Sequence, residues 1–402
     1  MTEKATLTIE SAKLRPLEDL DGVRSKALVV GIVGALATIA GFFLAGPEVF
    51  WRGYLIGWIY WLGAALGLVF IMMINYLASG RYGIQMRRVQ EGAGKTLPIL
   101  GLLGLPILFA GGMQHLYHWT APGLADKDPL LAAKAGYLNI PFFTGRYVLY
   151  FVIWSAFAFL FSRLSHRHDQ NGDEATRETL QKMSAGGIIT FVMVATFAAI
   201  DWLMSTDHHW YSSLYGPQLL LWQLITAVAF SIILLVFLST REPLKHLVKP
   251  THFHDWGKLM LAFTMVWGYF SVSQFLIIWS GNLPEEVTWY LVRNTGGWKA
   301  YTVALVFFAF FMPFAILLSQ DIKFKPRLLM RIAMLVLLVR WFDYYWQVAP
   351  NLHPEGFTLN PFDFAPWIGI GGIWVWLLLG QLRSGAIVPV EDPVVKEAWI
   401  HG

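Results

Sequence analysis

The sequence predicts an all-α integral membrane protein with ten transmembrane helices. Three observations predict it: sparse charge, repeated apolar runs, and loops whose charge alternates. Only 14% of the 402 residues are charged, against about 25% in soluble domains. Mean hydropathy is +0.51. Aromatics reach 16%, with 19 Trp, whose amphipathic rings favour membrane–water boundaries.

A bilayer core about 30 Å thick needs roughly 20 apolar residues per helix. Such runs fall near 27–46, 52–78, 97–118, 140–163, 183–205, 215–239, 258–280, 299–319, 326–348 and 365–386. The first follows a long mixed-charge segment, unlike the short basic start of a cleaved signal, and reads as a retained helix. The whole chain, 1–402, reads as a single polytopic membrane domain. It is bounded by a cytoplasmic N-terminal segment, 1–26, and a cytoplasmic C-terminal tail, 387–402. Among the inner loops, only the polar segment Ser165–Glu178 hints at disorder.

The loops test this independently. With the N-terminus inside, 23 Lys and Arg lie in inner segments and six in outer ones: Arg52, Lys127, Lys134, Arg146, Arg293 and Lys299. That asymmetry follows the positive-inside rule and fixes both termini in the cytoplasm. The pI of about 9.1 therefore reflects topology, and no nucleic-acid partner is expected. Outer loops such as Ser205–Gly216 and Gly281–Gly297 are instead rich in Trp, Tyr, Pro, Asp and His.

A weak internal repeat appears at a four-helix offset. Met113-Gln114-His115 on helix 3 matches Ser273-Gln274-Phe275 on helix 7. Asp201-Trp202 on helix 5 matches Trp341-Phe342-Asp343 on helix 9. An even offset preserves orientation, so two four-helix bundles, helices 2–5 and 6–9, are expected, flanked by helices 1 and 10. The Gly369–Gly372 stretch reads as a helix-packing site.

Ionisable side chains within hydrocarbon cost roughly 2.5–3.5 kcal/mol each and are functional candidates by default. Arg340 is the deepest, about 21 Å along its helix from Pro326. Asp343 and Tyr344 follow at i+3 and i+4 and share its face. At similar depth lie His115 and His118, Arg146, Asp201 and Gln274. Asp207, His208 and His209 read as a wet helix end, and no metal site is assigned.

Such a cluster suits two uses. Oxidising a quinol needs hydrogen-bonding groups at both ring oxygens, one of them a proton acceptor. Asp201, Asp343 and His115 are the candidates for proton transfer. Gln274, Arg340, Tyr344 and Arg146 are the candidates for orienting a quinone. The same residues equally suit a proton path to the outer surface with no quinone, and both uses stay open. Cysteine is absent, which excludes Cys-ligated iron–sulfur clusters, covalent c-type haem and disulfides in this chain. No His lies mid-helix as a b-type haem requires, so no haem or iron–sulfur cluster is expected.

Two segments carry a family resemblance. Phe197–Gly216, with Ile200-Asp201-Trp202-Leu203-Met204-Ser205-Thr206-Asp207-His208-His209 at its centre, resembles the second quinone-binding membrane subunit of bacterial alternative complex III. Ser273–Glu286 resembles that subunit's helix 7 and outer loop. Length, helix number and absent Cys agree along the chain. The resemblance implies kinship with the NrfD-like membrane subunits of polysulfide reductases and two four-helix bundles. It also implies a place in a respiratory quinol oxidoreductase of the bacterial inner membrane, with menaquinone or ubiquinone as cofactor. The implied partners are a homologous membrane subunit, an iron–sulfur subunit and haem c subunits. Asp201, Asp207 and Gln274 fall within the matched motifs; His115, Arg146, Arg340 and Asp343 rest on depth alone. Two alternatives stand beside this: a structural, proton-conducting subunit without quinone, and an independent secondary transporter. Broken mid-membrane helices would favour the transporter, with Pro106 and Pro313 the interior candidates.

Overall fold

In the computed structural model, residues 20–78, 81–242, 244–383 and 387 are described. The expected N-terminal segment and C-terminal tail fall largely outside them. Every element among the described residues is a helix. The major ones are α1 (Leu20–Ala45), α2 (Pro47–Ala78), α3 (Leu97–Phe109), α4 (Ile140–Asn171) and α5 (Glu174–Trp202). They continue with α6 (Tyr215–Leu238), α7 (Pro250–Gly281), α8 (Trp298–Leu318), α9 (Pro326–Leu352) and α10 (Ala365–Gln381). Eight described helices are long and apolar enough to cross a membrane, nine if the bent pair Gly83–Lys95 and Leu97–Phe109 is one span. The remaining expected run, α9, is 27 residues long. Arg327, Arg331, Arg340 and Asp343 keep its hydropathy below that of the others. The protein is membrane-embedded and all-α.

Helix boundaries depart from the sequence expectation for local reasons. The Ser165–Glu178 segment is ordered helix on both sides of a two-residue turn. Gly172 closes α4 at φ 61°, and the Asp173 side chain accepts the Thr176 N–H to start α5. The run expected over 97–118 divides. A short helix, Arg87–Lys95, meets α3 at a 40° bend near Thr96, and Gly111 at φ 96° separates α3 from Gly112–Leu116. Pro106 lies inside unbroken α3, whereas α8 passes through a π turn at Phe307–Phe311 immediately before Met312-Pro313.

Burial is distributed unevenly. The apolar window of α2 is wholly buried and that of α6 nearly so, while α1 and α8 expose most of theirs. α2 packs against α1, α3, α5, α6, α9 and α10, and α6 packs against α5, α7 and α9. Hydrophobic exposure on α1, α4 and α7, such as Phe43, Val152 and Trp279, suits a lipid solvent. α1 and α10 touch backbone to backbone: a Cβ on Gly34 would overlap the Gly369 backbone, and one on Gly31 would come within 2.7 Å of Ile373 N. Small residues permit that approach, as in membrane helix pairs generally.

Candidate functional site

Three buried ion pairs lie toward one end of the helices, the end carrying the loops rich in Trp and His. Arg146 on α4 and Asp201 on α5 form a bidentate pair, Nε to Oδ2 and Nη2 to Oδ1, both 2.8 Å. Tyr150 donates to Asp201 Oδ2 at 2.7 Å, and Arg146 Nη1 donates to the Tyr137 carbonyl at 2.9 Å. The guanidinium also lies 3.8 Å from the Tyr137 ring centroid. Every acceptor position on Asp201 facing α4 is therefore occupied, which offsets the desolvation of both charges.

Arg340 and Asp343 pair within α9, Nη1 to Oδ2 at 2.8 Å, both 1% exposed. The Arg340 guanidinium stacks 4.6 Å from the Trp267 centroid on α7. This pair is monodentate and less completely satisfied: Arg340 Nε has no hydrogen-bond partner. Tyr344 packs against Tyr60 and Trp222, and its buried hydroxyl is also unpartnered. Gln223 Oε1 is another buried, unpartnered atom. A Cβ on Gly63 would meet both residues, Tyr344 OH at 3.0 Å and Gln223 Cγ at 3.1 Å.

A third pair was not anticipated from the sequence. Arg52, counted as an outer-loop cation, is buried at the start of α2 and holds Asp363 through Nε–Oδ1 at 2.9 Å and Nη2–Oδ2 at 2.8 Å. Asp363 also accepts the Asn360 N–H, capping the turn before α10. The neighbouring His353 imidazole is held below its usual pKa by burial, with Arg52 adding repulsion. Arg293, also assigned to an outer loop, is 2% exposed. It donates to the carbonyls of Trp289, Trp346 and Gln347 and to Asn351 Oδ1, at 2.9–3.2 Å. A cation on the carbonyl end of α9 is favourably placed in the helix dipole. The signal for both was present: Arg52 and Arg293 lie among aromatic residues, Phe50-Trp51 and Trp289-Tyr290.

A cavity of about 1000 Å³ opens between α7 and α8 near the same end of the helices. Contacts between these helices concentrate lower down, where α7 meets the π turn and Met312–Leu318. A Cβ on Gly268 there would strike the Phe310 ring. The short helix Pro284–Val292 roofs the cleft, and α9 forms its back wall through Asp343 and Trp346. The mouth is apolar, with exposed Val272, Leu276, Trp279 and Val303. Polar groups converge within: Gln218, Gln274, Arg293 and Asp343. Gln274 is 2% exposed, and its Oε1 has no partner.

Of the sequence candidates, Gln274 and Asp343 border this cleft, and Arg340 reaches it through Asp343. Arg146 and Asp201 form a separate cluster between α4 and α5. His115 is exposed on Gly112–Leu116, apart from the cleft lining. The arrangement joins an apolar slot to one free amide oxygen and one carboxylate, which suits a flat ligand with two polar ends. No protein-family model and no curated protein matches the chain.

Proposed function

We propose that this chain is a membrane subunit of a respiratory quinol oxidoreductase of the alternative complex III type, binding quinol in the α7–α8 cleft. The observation that carries this reading is the cleft itself. Its volume of about 1000 Å³ reaches the upper range of small-molecule sites, and its apolar mouth suits an isoprenoid tail. Gln274 Oε1 would accept one quinol hydroxyl, and Asp343, held by Arg340, the other. Menaquinol and ubiquinol share that chemistry.

The proposed topology is ten spans with both ends in the cytoplasm of a bacterial cell, α9 being the tenth. Support comes from the outer-side cations: Arg52, Arg146 and Arg293 are buried in protein, which leaves only Lys127, Lys134 and Lys299 to oppose the inner loops' charge. The two-bundle arrangement is supported by paired packing, with α2 against α5 in one set and α6 against α9 in the other. Partners of the proposed complex are a homologous membrane subunit, an iron–sulfur subunit and haem c subunits.

A photoreactive quinone analogue tests the site in the intact complex. The expected result is labelling of α7 and α8 near Gln274, suppressed by excess quinol. Labelling confined to another subunit would overturn quinol binding here.

A second reading is favoured by one specific observation: the buried, unpartnered Tyr344 hydroxyl and Gln223 Oε1, which both lie against Gly63. These buried groups would support proton movement without quinone. In that case Asp343→Asn lowers proton release while quinone occupancy stays unchanged.

A further inference from the structure

Two outer loops bring three side chains together outside the cleft. Asp128 lies in the loop before the short helix Pro129–Lys134, and His208 and His209 follow α5. The two imidazole Nε2 atoms converge on one carboxylate oxygen: His208 at 3.3 Å and His209 at 2.6 Å from Asp128 Oδ2. All three donor atoms lie within 4.8 Å of one another. The other oxygen, Oδ1, accepts the N–H groups of Leu130 and Leu131 at 3.0 and 3.3 Å. That cap fixes the carboxylate plane and leaves Oδ2 directed at the two imidazoles. Lys134 Nζ donates to the His208 carbonyl at 2.6 Å, and the Asp207 carboxylate accepts the His209 N–H at 3.2 Å. These two hydrogen bonds fix the main chain of both histidines beside the carboxylate.

We propose that Asp128, His208 and His209 form a divalent transition-metal site, best suited to Zn²⁺, that clips the α3–α4 loop to the α5–α6 loop. Two imidazole nitrogens and one carboxylate oxygen are a borderline-soft set that Zn²⁺ takes with ligand distances of about 2.0–2.2 Å. At that radius tetrahedral ligands stand about 3.4 Å apart, so the His208–Asp128 spacing already fits. The ion replaces the closer His209–Asp128 hydrogen bond, which opens by about 0.8 Å to the same spacing. His209 is about half exposed, so its ring has room to make that movement. A fourth position faces solvent and would take water. The Lys134 ammonium, electrostatically coupled to Asp128 and Asp207, opposes a second cation and sets an upper limit on affinity.

The test is zinc titration of the purified full-length protein after chelator treatment, read by equilibrium dialysis with elemental analysis. One Zn²⁺ per chain is expected. The His208→Ala/His209→Ala double variant is expected to weaken binding at least 100-fold, and Asp128→Asn at least tenfold. Lys134→Met, which removes the competing charge and no ligand, is expected to tighten it. With Cu²⁺ substituted, the electron paramagnetic resonance spectrum is expected to show coupling to two imidazole nitrogens, lost in the double variant. His252→Gln/His254→Gln, at the opposite end of the helices, is expected to bind as wild type. Equal zinc binding by wild type and by the His208/His209 double variant overturns the site. So does a Cu²⁺ spectrum without nitrogen coupling. Matching gel-filtration profiles establish that each variant is folded before it is scored.

Discussion

Asp343 and Arg340 stand one helical turn apart on α9 and close on each other at 2.8 Å, yet only Asp343 borders the cleft. The carboxylate therefore has one oxygen engaged in a buried pair while the group as a whole meets a ligand-sized space. In the other half of the molecule Asp201 has no such freedom, because Arg146 takes both oxygens and Tyr150 shares one. The two aspartates hold matching places in the sequence repeat but differ in how much hydrogen-bonding capacity remains.

We predict that Arg340→Ala destabilises the protein strongly, by about 3–5 kcal/mol, because it strands Asp343 without a counter-ion. Asp343→Asn should cost less in stability while reducing quinol oxidation by the proposed complex at least tenfold. Thermal unfolding in detergent and turnover assays separate the two effects. Equal stability loss in both variants would show that the carboxylate is structural.

For Gln274→Leu the expected change is a loss of quinone-analogue affinity of about tenfold, the worth of one buried hydrogen bond of roughly 1.4 kcal/mol. Stability should hold or rise slightly, since an unpartnered buried amide oxygen disappears. Unchanged affinity would remove Gln274 from the binding site.

The Arg52–Asp363 pair predicts a purely structural phenotype. Asp363→Ala leaves Arg52 buried without a partner and uncaps the turn before α10, so a loss of about 3–5 kcal/mol is expected. Replacing both, as Arg52→Met/Asp363→Leu, should restore much of that loss. Melting temperatures of the single and double variants check this. A single variant that melts like wild type would contradict it.

His353 supplies a pH dependence. Its folded-state pKa is below the ordinary imidazole value of about 6.5, so the unfolded chain binds the proton first. Its contribution is fully present above pH about 6.5 and is lost as pH falls through that value toward the folded pKa. His353→Gln should therefore flatten the fall in melting temperature between about pH 7 and 5. An identical slope in wild type and variant would exclude this histidine as the source.

The sequence by itself determined that this is a membrane-embedded, all-helical chain, because hydrocarbon demands long apolar runs with internally satisfied backbones. It also marked Asp343, Arg340, Asp201 and Gln274 as costly to bury and so worth locating. Helix ends were less legible, as at Ser165–Glu178, where Gly172 and Asp173 keep a polar segment helical up to a tight turn. Only the tertiary structure decided which charges are buried. Arg52 and Arg293 look like loop cations until Asp363, 311 residues away, and the α9 carbonyls are seen to meet them. Pairing between side chains so distant leaves no local periodicity to read. For the same reason only the fold could divide one expected polar cluster into a cleft lined by Gln274 and Asp343 and a closed pair at Arg146–Asp201. Depth along a helix is written in the sequence, whereas the direction a side chain faces is set by its neighbours.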